Sequence, residues 1–191
     1  MTDYKYQICA FADEAGATPA EQIDAMRANG VTLLELRSVN GKNVTALTDD
    51  EMRDFRAQLD GAGIGVWAIG SPCGKHPLSE PFGPQLDTLR RTIDIARLAG
   101  ASRIRMFSFY GYDGSAAARD EVMDRLNRYV EAAAGSGVLL CHENEKGIYG
   151  DTADRCNDIL RSIPALGGVF DPANFLQCDQ DTLAAWDLLH D

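Results

Sequence analysis

Six times along this chain a short apolar run gives way to a longer amphipathic stretch, and that alternation most constrains what the chain can fold into. Strand, crossover helix and next strand together build a parallel sheet whose faces the helices cover. The strand-like runs are residues 6–11, 32–37, 65–70, 102–107, 138–143 and 168–171. Between them, Met52, Phe55 and Leu59, then Leu86, Leu89 and Ile93, then Val122, Leu126 and Val130 recur at three- and four-residue intervals. Each set therefore lies along one helix face suited to packing on a sheet. Thr18-Pro19-Ala20-Glu21 and Thr48-Asp49-Asp50-Glu51 each place a capping threonine three residues before a glutamate that can reach back to a free backbone N–H. Asp151 and Asp154 are expected to serve the fifth helix in the same way. Gly30, Gly61, Gly100 and Gly135 stand where helices should stop and the chain turns left-handed.

Units recur about every 30 residues, and eight of them make the roughly 250 residues of a (β/α)8 barrel. The 191 residues hold about six such units in a single domain over 1–191, with no linker or low-complexity tract. An open doubly wound sheet shares the same alternation, although no GxGxxG follows the first strand. The chain stops at AAWDLLHD, residues 184–191, partway through the sixth helix. Two further units of a barrel are expected to be missing, leaving strands one and six with free edges through which copies could pair as a homo-oligomer.

A formal net charge of −11 repels polyanions, which disfavours nucleic acid and anionic membranes as general partners and points to a small molecule. The N-terminus lacks a basic segment followed by an apolar run, and no apolar stretch reaches membrane-spanning length, so a cytoplasmic protein is expected. Five cysteines without a CxxC pair read as reduced, mostly buried thiols.

In parallel α/β folds the chemistry gathers at the carboxyl ends of the strands. Strand two reads Leu34-Glu35-Leu36-Arg37; with the leucines toward the helices, Glu35 and Arg37 turn inward, to pair with each other or to bind substrate. The same parity turns Arg105 inward on strand four. Strand five ends in His142-Glu143-Asn144-Glu145-Lys146 and strand six in Asp171-Pro172-Ala173-Asn174. Glu143 and Asp171 thus end adjacent strands as two hard oxygen donors suited to Mg²⁺ or Mn²⁺, or as acids capping the helices that follow. His142 alternates with Glu143 and so turns outward or sideways, where a hydrogen-bonded structural role competes with substrate contact. Lys75, His76 and Lys146 lie on loops, as solvated charge or as a grip on phosphate. Trp67 is expected in the core.

HENEKGIYGDTADRC (142–156) and FDPANFLQC (170–178) closely resemble segments of the sugar phosphate isomerase/epimerase superfamily of xylose-isomerase-like barrels, as do ELRSVNGKNV (35–44), AIGSPCGKHPL (68–78) and RMFSFYG (105–111). The resemblance implies a TIM barrel with a divalent metal, Mn²⁺, Mg²⁺ or Zn²⁺, held by Glu143 and Asp171. The family completes that site with a histidine and a glutamate from strands seven and eight, so the metal site is incomplete here. It further implies proton exchange beside a carbonyl, with Glu143 as both ligand and acid/base, and a sugar or sugar phosphate as substrate. Glu35, Arg37, Lys75, Arg105, His142, Lys146 and Asn174 are the candidate substrate contacts, Asn174 standing where relatives often carry a histidine that contacts metal or substrate. Related apurinic endonucleases need more histidines than the three present. The alternative is a non-catalytic module that binds a sugar or a protein.

Overall fold

A computed structural model describes residues 7–190, which divide into two compact units: residues 7–71 with 94–103, and residues 72–93 with 104–190. In chain order the elements are β1 (Cys9–Ala10), α1 (Pro19–Ala28), β2 (Leu33–Leu36), β3 (Ser38–Val39), β4 (Lys42–Asn43), α2 (Asp49–Gly61) and β5 (Gly65–Gly70). They continue with α3 (Phe82–Ala99), β6 (Arg103–Met106), α4 (Ala116–Ala133), β7 (Leu139–Glu143), α5 (Ala153–Ser162), β8 (Gly167–Val169), α6 (Pro172–Gln177) and α7 (Thr182–Leu189). Six of these strands, β1, β2, β5, β6, β7 and β8, are the parallel strands that the alternation predicts.

In the first unit β1, β2 and β5 pair in that order, with Cys9 opposite Leu33 and Leu34 opposite Val66. Leu34 and Leu36 are buried, as the period-2 pattern requires. Beyond Leu34 the register shifts, so that Glu35 faces Ala68 and Trp67 becomes the extra residue of a bulge. Trp67 is therefore not a core residue: it is 36% exposed, and the Arg103 guanidinium lies over its ring at 4.1 Å. Both capping boxes form, at Thr18 with Glu21 and at Thr48 with Glu51, and Met52, Phe55 and Leu59 are buried. Gly61 lies within α2, and the left-handed turn falls to Gly63 at φ +72°. The hairpin β3–β4 is absent from the sequence reading. Its turn residues, Asn40 at φ +53° and Gly41 at φ +71°, are the Asn-Gly pair that tight hairpins favour, so the signal was present.

In the second unit β7 pairs with β8, Cys141 opposite Gly167 and Glu143 opposite Val169. Past β6 the chain continues as a ladder: Phe107 N–H donates to Cys73 O, Phe109 N–H to Gly74 O and Tyr110 N–H to His76 O. Phe107, Phe109, Val122, Leu126 and Tyr129 are fully buried. The cap of α5 is Thr152, whose hydroxyl accepts from Arg155 N–H, rather than Asp151 or Asp154. Asp151 pairs instead with Arg155 one turn on. The strand expected at 168–171 spans Gly167–Val169, so Asp171 lies beyond its end. Of the run expected as the first strand, Cys9–Ala10 form β1; position 6 lies outside the described residues. Among the described residues no helix is long and apolar enough to cross a membrane.

Candidate functional site

Residues expected to bind substrate or metal occur in both units. In the first unit Arg37 pairs with Asp13 at 2.9 Å and Glu14 at 3.1 Å, which corrects the expectation of a pair with Glu35. Burial raises the Asp13 pKa, but hydrogen bonds from Arg37 and from Ser38 at 2.6 Å outweigh it, so the carboxyl titrates below its usual range. Glu35 is half-buried on β2, and its charge adds to burial in pushing the Cys9 thiol up to about 11.

The second unit holds a denser constellation at the carboxyl ends of β6 and β7. Parity turns Arg105 and Glu143 toward each other, and Arg105 Nη1 meets Glu143 Oε2 at 3.0 Å with both side chains nearly enclosed. Two residues on, past the end of β7, Glu145 takes Lys75 Nζ at 2.7 Å. The two cations share one aromatic ring: Lys75 Nζ is 4.3 Å and Arg105 Cζ 4.9 Å from the centroid of buried Phe107. Cations on a ring face gain from its quadrupole, so Phe107 holds both in place. Lys75 is thus no loose surface charge, whereas Lys146 is exposed. Sequence reading passed over Phe107, since a phenylalanine at the end of a strand reads as core.

His142 points to the other face of β7. It is 2% exposed, and its Nε2 lies 2.9 Å from Ser108 Oγ, which also accepts the Gly150 N–H at 2.8 Å. That geometry gives it the hydrogen-bonded structural role that competes with substrate contact. Burial pushes its pKa down to about 3. The folded state therefore holds the neutral imidazole, whereas an unfolded chain takes up a proton below about 6.5. Stability from this group is complete above pH 6.5 and is lost as the pH falls toward 3, by up to about 1.4 kcal/mol per pH unit. Urea unfolding should show a clear loss between pH 7 and pH 5.5 that His142→Asn flattens; a wild-type curve level across that window excludes it.

Asp171 stands at the N-cap of α6, where its Oδ1 accepts the Asn174 N–H at 2.9 Å. Asn174 donates its side-chain amide to Asn144 O at 2.9 Å, so the position expected to touch substrate also ties α6 to the end of β7. Asn144, not singled out in the sequence, is 2% exposed and hydrogen-bonds both main-chain groups of Asp171. The five cysteines are free, three of them buried, and burial pushes the Cys156 thiol up to about 12.

Glu143 and Asp171 suit a divalent ion in kind, because hard cations take carboxylate oxygens and Mg²⁺ can be held by one or two of them with water. They are few in number: among the described residues no group of three or more His, Cys, Asp and Glu side chains gathers to hold a metal.

The family model described as xylose isomerase-like TIM barrel matches residues 23–190. No curated protein matches the chain in sequence. Among solved structures, the "probable 3-DHS dehydratase AsbF involved in the petrobactin synthesis" from Bacillus anthracis superposes with a TM-score of 0.78 at 18% identity, over 98% of this chain and 70% of that one. A xylose isomerase-like TIM barrel protein from Mycobacterium smegmatis in complex with magnesium gives 0.72 at 16%, over 95% and 70%. D-psicose 3-epimerase in the presence of D-fructose gives 0.73 at 15%, over 96% and 70%. At such identities the likeness is one of fold, and the chain spans about 70% of these proteins' length. With its family match covering most of its length and six parallel strand–helix units of an incomplete (β/α)8 barrel, the chain belongs to the xylose isomerase-like TIM barrel family.

Proposed function

We propose that this protein acts on a sugar or sugar phosphate as an isomerase or epimerase, moving a proton at a carbon beside a carbonyl. The observation that carries the reading is the enclosed Arg105–Glu143 pair at the strand ends of a family whose solved neighbours include a sugar epimerase. Glu143 takes the proton from the carbon; an isomerase delivers it to the neighbouring carbon, and an epimerase reprotonates the same carbon from the opposite face through a second acid/base group outside the described residues. Arg105 holds that carboxylate in place through its ion pair and offers N–H donors to the oxygen on which negative charge develops. Lys75, Lys146 and Asn174 are the proposed contacts for substrate hydroxyls or a phosphate. A divalent cation on Glu143 and Asp171, completed by water or by ligands outside the described residues, would polarise the substrate oxygens when bound.

General acid–base groups contribute roughly 10²- to 10⁴-fold, so Glu143→Gln should lower kcat at least about 100-fold. The assay uses a panel of ketoses and their phosphates with Mn²⁺ or Mg²⁺ and follows both product and solvent-proton exchange at the reacting carbon. Turnover unchanged by Glu143→Gln would sink the mechanism. Metal-independent sugar binding without turnover would favour the binding-module alternative.

A further inference from the structure

We propose that Asn144 is a positioning residue: it clamps the main chain of Asp171 with both ends of its side-chain amide and thereby sets the spacing of the Asp171 and Glu143 carboxylates. This rests on the reading of Glu143 and Asp171 as the working carboxylates.

The ladder between β7 and β8 ends where Glu143 faces Val169, so sheet pairing no longer places Asp171, two residues farther on. Asn144 supplies what the ladder stops supplying. Its Nδ2 donates to Asp171 O at 2.8 Å, and its Oδ1 accepts the Asp171 N–H at 2.7 Å. One side chain thus reproduces the donor-and-acceptor exchange that a neighbouring strand would make. Asn174 closes the circuit from the other side, donating its amide to Asn144 O at 2.9 Å and its backbone N–H to Asp171 Oδ1 at 2.9 Å. Four hydrogen bonds therefore join three residues around the carboxylate, and Asn144 is enclosed.

The placement matters because Asn144 directly follows Glu143 in the chain. One peptide unit connects the residue bearing the first carboxylate to the residue gripping the second. The separation of the two is then a property of a strand end rather than of the loop leading into α6. An apolar residue at 144 would leave the Asp171 N–H and C=O without these partners, and unmet buried groups are costly. Partners that orient ligating carboxylates typically change metal affinity 10- to 100-fold when removed.

The test combines amide exchange with Mn²⁺ titration by calorimetry on the full chain. In the wild type the Asp171 N–H should exchange slowly, although it lies outside any ladder. Asn144→Ala should speed that exchange at least tenfold and weaken Mn²⁺ binding 10- to 100-fold. Val122→Ala, which removes two buried methyl groups from α4 far from this clamp in sequence, should lower thermal stability without changing Mn²⁺ affinity. Mn²⁺ affinity in Asn144→Ala equal to that in Val122→Ala would overturn the inference while leaving the two-carboxylate reading intact. If the wild type takes up no Mn²⁺, or Glu143→Gln binds it equally well, the metal reading fails, and exchange at Asp171 decides the clamp. Rapid wild-type exchange there overturns it, even if no Asn144 variant folds.

Discussion

Gly74→Ala is expected to destabilise the protein by roughly 3 kcal/mol or more, the sum of a left-handed backbone penalty and an overpacked contact. Gly74 sits at φ +82°, and a Cβ built on it would lie 2.0 Å from Phe107 O and 2.5 Å from Phe107 C. Those atoms are backbone, so no rotamer change relieves the collision. The two segments meet this closely because Phe107 N–H donates to Cys73 O and Phe109 N–H to Gly74 O, both at 2.9 Å. Pushing them apart breaks that ladder and shifts the ring on which Lys75 and Arg105 rest, so activity should fall along with stability. For a chain of this size the loss corresponds to a drop of about 6–12 °C in Tm. A drop under about 2 °C by differential scanning calorimetry would mean that the approach of these segments is not as described.

Arg105→Met should cost about 3 kcal/mol, because removing one member of an enclosed ion pair leaves the other charge with less compensation than folding requires. The side chains of Arg105 and Glu143 are only 10% and 13% exposed, so solvent screens the pair little. Methionine keeps most of the side chain's apolar length, which isolates the electrostatic loss from a cavity. Pairing Arg105→Met with Glu143→Gln should recover part of the loss, since the double variant no longer encloses a charge without its partner. Strict additivity of the two single effects in urea unfolding would show that the residues do not interact.

Much of the fold was legible locally. The boxes at Thr18–Glu21 and Thr48–Glu51, the strand at 65–70 and the buried stripe Met52, Phe55 and Leu59 each depend on residues within a few positions of one another. Hydrogen-bond geometry over one or two turns is enough to determine them. Asn40-Gly41 belongs with these, since its hairpin signal lies in two adjacent residues. Strand parity likewise placed Arg105 and Glu143 on inner faces, because side chains alternate strictly along a strand.

Which groups those side chains meet was decided by tertiary structure. Glu145 finds Lys75 from 70 residues away in sequence, and Arg37 finds Asp13 in place of Glu35. Both pairings follow from which loop lies over which strand end, and no local pattern records that. Trp67 leaves the core because a one-residue register shift between β2 and β5 makes it the extra residue of a bulge. Asp171 becomes a helix cap because β8 stops at Val169, and Asn144 acquires a role because that stop leaves two main-chain groups to be met. The sequence by itself thus determined the periodicities and the caps, which are short-range. Register and strand length decided the partners, because each is settled by the balance of contacts across the whole sheet.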